Sequence, residues 1–336
     1  MGIHPRTAIR WEDGDRLPSE LEASRIAELL RFPISFFFGA DTDEPTADAA
    51  SFRALSSMPA RERDAALAAG AFGFLLGDWV EERFNLPAHD LADLSLETPE
   101  GAARVLRERW GIGERPINNM VHLMEAKGVR VFSMAENTRA VDAFSTWRSE
   151  RPYVFLNSQK SAERQRFDAA HELGHLVMHK HGGPHGREAE TEANQFASAF
   201  LMPQSDVLAS IPVVRDLQQL VAAKRRWRVS VAALNHRLHA IGLTSEWQYR
   251  TFAVQIQQLG YRTSEPNGLP RETSAVWTKV FDTLRAEGTS KTRIGSELGL
   301  PVSEIENLVF GLANMLSLDG GARSYTPGRA KLRVVS

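Results

Sequence analysis

The pentapeptide HELGH at residues 171–175 places two histidines one helical turn apart. On an α-helix, positions i and i+4 lie on the same face, so His171 and His175 can bind one metal ion together, with Glu172 beside them. A Zn²⁺ held in this way keeps an open position for water and lowers the pKa of that water towards about 7. Glu172 is then placed to accept a proton as general base. This motif predicts a helical metal site with hydrolytic chemistry.

A catalytic zinc site usually takes three protein ligands, and the next predicted helix supplies carboxylates. The sequence REAETEAN at residues 187–194 offers Glu188, Glu190 and Glu192. Glu190 falls on the buried side of this helix, whereas Glu192 is rotated from Glu190 by about 200°. We predict Glu190 as the third ligand, with Glu192 as the alternative and Glu188 as a further candidate. The apolar side continues at helical spacing through Ala193, Phe196, Ala197, Phe200 and Leu201.

Further polar residues accompany the motif. His179 continues the i+4 row from His175, which allows a supporting role behind that ligand. His181 and His185 are expected to be solvated. Asp168 either orients a ligand or solvates the helix, and Tyr153 is expected to be a core or surface aromatic rather than an electrophilic helper at the metal.

The sequence HELGHLVMH at residues 171–179, followed by ExExANQFASAFLMP, closely resembles the ImmA/IrrE-type metallopeptidases. The resemblance covers roughly the middle third of the chain. It implies a gluzincin-like, zinc-dependent peptidase that cleaves or regulates transcriptional repressors. It also implies Glu190 as third ligand, and an edge strand near the metal that receives the substrate peptide by strand addition. The resemblance extends upstream through residues 116–119, 125–129, 141–145 and 155–157.

Composition narrows the class of protein. The chain has 336 residues, of which 43% are hydrophobic and 24% charged, a globular composition with length for two or three domains. The net charge of −2 gives no overall basic field, so a nucleic-acid contact would need a local patch. The absence of cysteine removes disulfides and thiolate ligands. No secretory leader or membrane span is recognisable, and we expect a cytoplasmic protein.

We predict a mostly helical α+β protein, with a gluzincin-like metallopeptidase core and a small antiparallel sheet, flanked by helical N- and C-terminal regions. Residues 129–132 are predicted to form one strand, and residues 143–147 and 152–157 a hairpin. The predicted divisions are a partial helix-turn-helix at 1–40, a linker and connecting helix at 41–97, the peptidase core at 98–205, a helical extension at 206–265, and a helix-turn-helix-like module with a basic tail at 266–336.

The two ends of the chain suggest regulatory contacts. Residues 2–39 resemble the second half of an XRE-type (phage-repressor-like) helix-turn-helix, from which Arg6, Thr7 and Arg10 could reach DNA. The first two helices of such a domain have no counterpart here, so a packing or dimerising remnant is the other interpretation. The last predicted helix of the C-terminal module carries Glu304 and Glu306, which repel phosphates. That module is therefore predicted to contact protein before DNA.

The combined interpretation is a zinc-dependent peptidase acting on a repressor or antitoxin-like regulator, and so controlling stress, mobile-element or phage-related genes. Mn²⁺ or Fe²⁺ also suits two histidines and a carboxylate. The alternative is a DNA-binding regulator whose metal domain is a sensor or scaffold with little turnover. A third hypothesis is a toxin–antitoxin partner that binds only protein. A homodimer is compatible with each of these.

Overall fold

The computed structural model describes residues 4–39, 41–45, 60–134, 142–180, 186–313 and 318. Its helices confirm the predicted mostly helical α+β class. Before the sheet lie α1 (Pro5–Glu12), α2 (Glu20–Leu30), a 3-10 turn (Ile34–Phe38), α3 (Ala60–Glu81), α4 (Pro99–Arg109) and α5 (Met120–Ala126). After it lie α6 (Ala162–Met178), α7 (Arg187–Leu201), α8 (Gln204–Ser210), α9 (Leu217–Trp227), α10 (Val231–Ala240), α11 (Glu246–Gln258), α12 (Ala275–Ala286), α13 (Lys291–Leu298) and α14 (Val302–Val309).

Among these helices, the described residues form one sheet of three strands: β1 (Arg130–Ser133), β2 (Ala143–Arg148) and β3 (Arg151–Leu156). The predicted hairpin is confirmed, since β2 and β3 pair antiparallel across a turn in which Ser149 and Glu150 both have positive φ. The prediction of an antiparallel sheet is wrong for β1, which pairs parallel to β3. The strand order is β1-β3-β2. The second strand of the hairpin, β3, is therefore the central strand, and it runs parallel to β1.

The central strand β3 is buried between two helices. Tyr153 and Phe155 face α3, where Gly73 allows a close approach: a Cβ at that position would lie 2.5 Å from the Phe155 ring. The other face of the sheet lies against α6, which Ser145 of β2 contacts through its hydroxyl. The sheet therefore separates a packed aromatic layer from the helix that carries the HELGH sequence.

The C-terminal helices pack directly on this core. The indole Nε1 of Trp277 in α12 donates a hydrogen bond to the backbone oxygen of Val131 in β1, over 2.9 Å. In α14 the apolar residues Ile305 and Leu308 are buried, and the helix packs against α3 and β1. This is the last helix of the predicted C-terminal helix-turn-helix, the one that would contact DNA if the module bound it. Its apolar side packs against α3 and β1. DNA contact by the module stays a prediction.

The N-terminal helices contact the rest of the chain through aromatic rings. Phe32 and Phe36 pack on Phe72 of α3 with ring centroids 5.9 and 6.0 Å apart. Arg6 and Arg10 lie exposed on α1, and Thr7 is half-buried there. DNA binding by this helix also stays a prediction.

Several sequence predictions concern residues outside the described ranges. These are part of the linker (residues 46–59), the turn at residues 182–184, His181, His185 and the basic tail at residues 323–333. Within the described ranges, no helix combines the length and the apolar character needed to cross a membrane.

Candidate metal centre

The helix α6 begins where the sequence provides a cap. The hydroxyl of Ser161 accepts a hydrogen bond from the backbone N–H of Arg164, and the helix then runs to Met178. At Gly174 the helix comes close to α7, because a Cβ there would lie 2.9 Å from the Phe196 ring. This close crossing brings the first turns of α7 over the face of α6 that carries His171 and His175.

Three donor groups meet between the two helices. The Nε2 atoms of His171 and His175 lie 3.1 Å apart. Glu190 approaches them from α7, with Oε2 at 3.5 Å from His171 Nε2 and Oε1 at 3.6 Å from His175 Nε2. A tetrahedral Zn²⁺ with bonds of about 2.0–2.2 Å holds its donor atoms about 3.3 Å apart. The residues present therefore fit one zinc ion.

The Glu190 carboxylate supplies a negative charge that suits a dication. Burial raises the pKa of Glu190, but hydrogen bonding to His171 and His175 lowers it overall, so the group is a carboxylate. Burial lowers the pKa of His171, whereas Glu190, with the charges of Glu172 and Asp168, raises it overall. Two imidazoles that surround a carboxylate in this way offer the nitrogen and oxygen ligands that zinc accepts.

Glu172 lies next to this group, on the side of α6 that faces the sheet. Its side chain is buried, with 3% of its surface exposed, and its Oε2 accepts a hydrogen bond of 2.7 Å from the hydroxyl of Ser145. Ser145 was not singled out as a site residue in the sequence. The sequence signal that could have identified Ser145 is the alternation of side chains along β2, because every second residue of a strand faces the same side of the sheet.

Three further side chains, Asn194, His179 and Glu192, lie close to the two histidines and outside the donor group. Asn194 Oδ1 lies 3.1 Å from His171 Nδ1, and His179 Nδ1 lies 2.9 Å from His175 Nδ1. Glu192 contacts His179 instead of joining the three donors, with its Oε2 at 3.0 Å from His179 Nε2. The group that could hold a metal within the described residues is thus His171, His175 and Glu190. Glu188 is exposed on the first turn of α7, outside this group.

Tyr153 and Asp168 are both buried in the protein. Tyr153 is fully buried and packs edge-on against Phe74, on the side of the sheet away from α6, so it is a core aromatic. Asp168 is buried one turn before the motif and pairs with Arg164 over 3.0 Å. It is buried, so the interpretation that it solvates the helix is wrong, whereas a role in orienting a ligand stays a prediction.

Burial gives Asp168 a predicted effect on stability. Burial raises the pKa of the Asp168 carboxyl to about 7, although the charge of Arg164 opposes the shift. The folded protein therefore keeps a proton that the unfolded chain releases above pH ~4, and the contribution of Asp168 to the free energy of unfolding should fall as the pH rises from about 4 to about 7. We expect Asp168→Asn to be more stable than the wild type by about 2–4 kcal/mol at pH 8, and equal to it near pH 4.

Urea unfolding at both pH values in the presence of EDTA measures this difference without a contribution from metal. Glu188→Gln, which changes an exposed carboxylate, is the matched control and should follow the wild type. An Asp168→Asn variant that is destabilised equally at pH 4 and pH 8 would contradict the burial argument.

The comparison with known families agrees with this geometry. Residues 124–239 match the family model of the IrrE N-terminal-like domain, Peptidase_M78. The matched segment contains the sheet together with α6 and α7. The match supports a peptidase, and the family implies a divalent metal, typically zinc. No curated protein matches the chain.

Proposed function

We propose that this chain is a zinc-dependent peptidase, in which His171, His175 and Glu190 bind the metal and Glu172 is the general base. The observation that carries the proposal is the convergence of two Nε2 atoms and one carboxylate at distances of 3.1–3.6 Å. Glu172 supports the peptidase assignment, because a purely structural metal site has no need of a buried carboxylate beside its ligands.

The chemistry follows from the positions of these side chains. When bound, Zn²⁺ would polarise a peptide carbonyl and lower the pKa of a water molecule. Glu172 accepts a proton from that water as the water attacks, and then returns the proton to the leaving nitrogen, so that the peptide bond breaks with no net consumption of protons. Ser145 holds the Glu172 carboxylate through Oε2, which limits the positions that the base can adopt.

The sheet suggests where the substrate chain lies. Of the two edge strands, β1 is covered in part by Trp277, which bonds to Val131. The other edge strand, β2, carries Ser145 and contacts α6. We propose that an extended peptide adds to the outer edge of β2, where its scissile carbonyl comes close to Glu172.

We propose a transcriptional repressor or an antitoxin-like regulator as the substrate. This step rests on the resemblance of the HELGHLVMH and ANQFASAFLMP sequences to ImmA/IrrE-type peptidases. The family match over residues 124–239 supports the peptidase part of the assignment.

Metal content tests the site directly. We expect one zinc per chain in the purified protein, and a loss of affinity greater than about 100-fold in His175→Ala and in Glu190→Ala, beyond the range typical of changes behind a ligand. Glu188→Ala should bind zinc like the wild type, because Glu188 is exposed outside the donor group. Atomic absorption and titration against a chromophoric chelator give both quantities. A wild-type protein that takes up no zinc after supplementation would overturn the proposal.

A further inference from the structure

Two consecutive side-chain contacts, from His175 to His179 and from His179 to Glu192, lead away from the proposed metal site. The first joins His175 Nδ1 to His179 Nδ1 over 2.9 Å, and the second joins His179 Nε2 to Glu192 Oε2 over 3.0 Å. The side chains become more exposed in this order, from 8% for His175 through 10% for His179 to 29% for Glu192. The contacts therefore connect the interior of the site to the protein surface.

We propose that His179 and Glu192 form a positioning relay that fixes His175 as an Nε2 ligand of the metal, an inference that rests on the proposed zinc site. The two contacts allow only one arrangement of protons once His175 binds through Nε2. A neutral His175 then carries its proton on Nδ1 and donates it to His179 Nδ1. His179, accepting at Nδ1, carries its own proton on Nε2 and donates it to Glu192.

The fold builds this relay from two elements. His179 directly follows α6 and caps its C-terminus, and its backbone N–H donates a hydrogen bond to the His175 oxygen over 3.0 Å. Because His179 is four residues after His175, the two rings lie on the same side of the helix. Glu192 is two residues after Glu190 on α7, rotated by about 200° around that helix. One helix thus supplies a carboxylate to the metal side of His175 and a second carboxylate to the relay behind it.

The two histidines of the site are consequently backed by different groups. His171 contacts the neutral amide oxygen of Asn194 over 3.1 Å, whereas the His175 relay ends at a carboxylate. A carboxylate behind a histidine makes the ring a stronger metal ligand and fixes its orientation, and removal of such a group typically weakens metal binding about 10–100-fold. We expect Glu192 to contribute through His179 in this way, without contacting the metal.

Zinc affinity measured by competition with a chromophoric chelator at a fixed pH tests the relay. Glu192→Gln keeps the size of the side chain and removes its charge, and it should weaken zinc binding about 10-fold or more. His179→Phe keeps a ring but removes the acceptor, and it should have a similar effect. Glu188→Gln makes the same chemical change on the same helix outside the relay, and it should leave the affinity unchanged. Equal zinc affinities for Glu192→Gln and Glu188→Gln would overturn the relay.

Two further measurements separate positioning from folding and from failure of the site itself. Long-range ¹H–¹⁵N spectra of the zinc-loaded wild type should show His175 protonated at Nδ1 and His179 at Nε2; a proton on His179 Nδ1 would overturn the relay. Without zinc, Glu192→Gln should unfold at the same urea concentration as Glu188→Gln. A wild type that binds no zinc would overturn site and relay together, whereas zinc that depends on Glu190 but not on Glu192 would overturn the relay alone.

Discussion

Glu172→Gln is expected to lower the kcat of peptide hydrolysis by about 10²–10⁴-fold, the range typical of a lost general base. The glutamine amide cannot accept a proton from water, yet its oxygen can still accept the hydrogen bond from Ser145 that holds the side chain now. The donor group of His171, His175 and Glu190 does not include Glu172, so the zinc content should stay at the wild-type level.

The measurement is cleavage of a proteome-derived peptide library, followed by mass spectrometry of the fragments. Zinc content is measured on the same preparations, and Glu188→Gln provides the matched control with full activity expected. A Glu172→Gln variant that binds zinc and cleaves at the wild-type rate would remove Glu172 from the chemistry. Zinc binding without cleavage by the wild type would instead favour the hypothesis of a sensor or scaffold.

Glu272→Ala is expected to destabilise the protein by about 3–5 kcal/mol, the range found when one partner of a buried ion pair is removed. Glu272 is buried and contacts the Arg166 guanidinium, which is itself only 2% exposed. Its other oxygen accepts the backbone N–H of Met120 over 2.7 Å, at the start of α5. The substitution therefore leaves a buried cation and a helix N-terminus without their carboxylate.

Urea unfolding followed by tryptophan fluorescence measures this loss of stability. Glu287→Ala is the matched control, because Glu287 is an exposed carboxylate at the end of α12, and its effect should stay within about 0.5 kcal/mol. A Glu272→Ala protein as stable as Glu287→Ala would show that the buried pair contributes nothing. The expected result would mean that residues after 266 stabilise the helix that carries His171 and His175.

The sequence alone determined the local features of the site. The helix from Ala162 to Met178, with its Ser161 cap, follows from a capping signal and a periodic apolar pattern, both of which act over a few residues. The spacing of His171 and His175 places them on one face for the same reason. The β2–β3 hairpin was also predictable, because its two strands are close in sequence and joined by a short turn.

The position of Glu190, the third candidate ligand, depends partly on local helix geometry and partly on tertiary packing. Helical phase separates Glu190 from Glu192, because two residues rotate a side chain by about 200°. Phase cannot say how close α7 comes to α6, which depends on the contact of Gly174 with Phe196. Only this approach brings Glu190 within 3.6 Å of both Nε2 atoms and leaves Glu192 at His179.

Tertiary structure alone decided the groups that surround the site. Ser145 reaches Glu172 from 27 residues away, and Glu272 reaches Arg166 from 106 residues away. The parallel pairing of β1 with β3 likewise depends on which edge the hairpin joins. Such contacts form when segments distant in sequence pack in one core. The periodicity of a segment predicts which of its faces is buried, but it does not predict which other segment packs on that face.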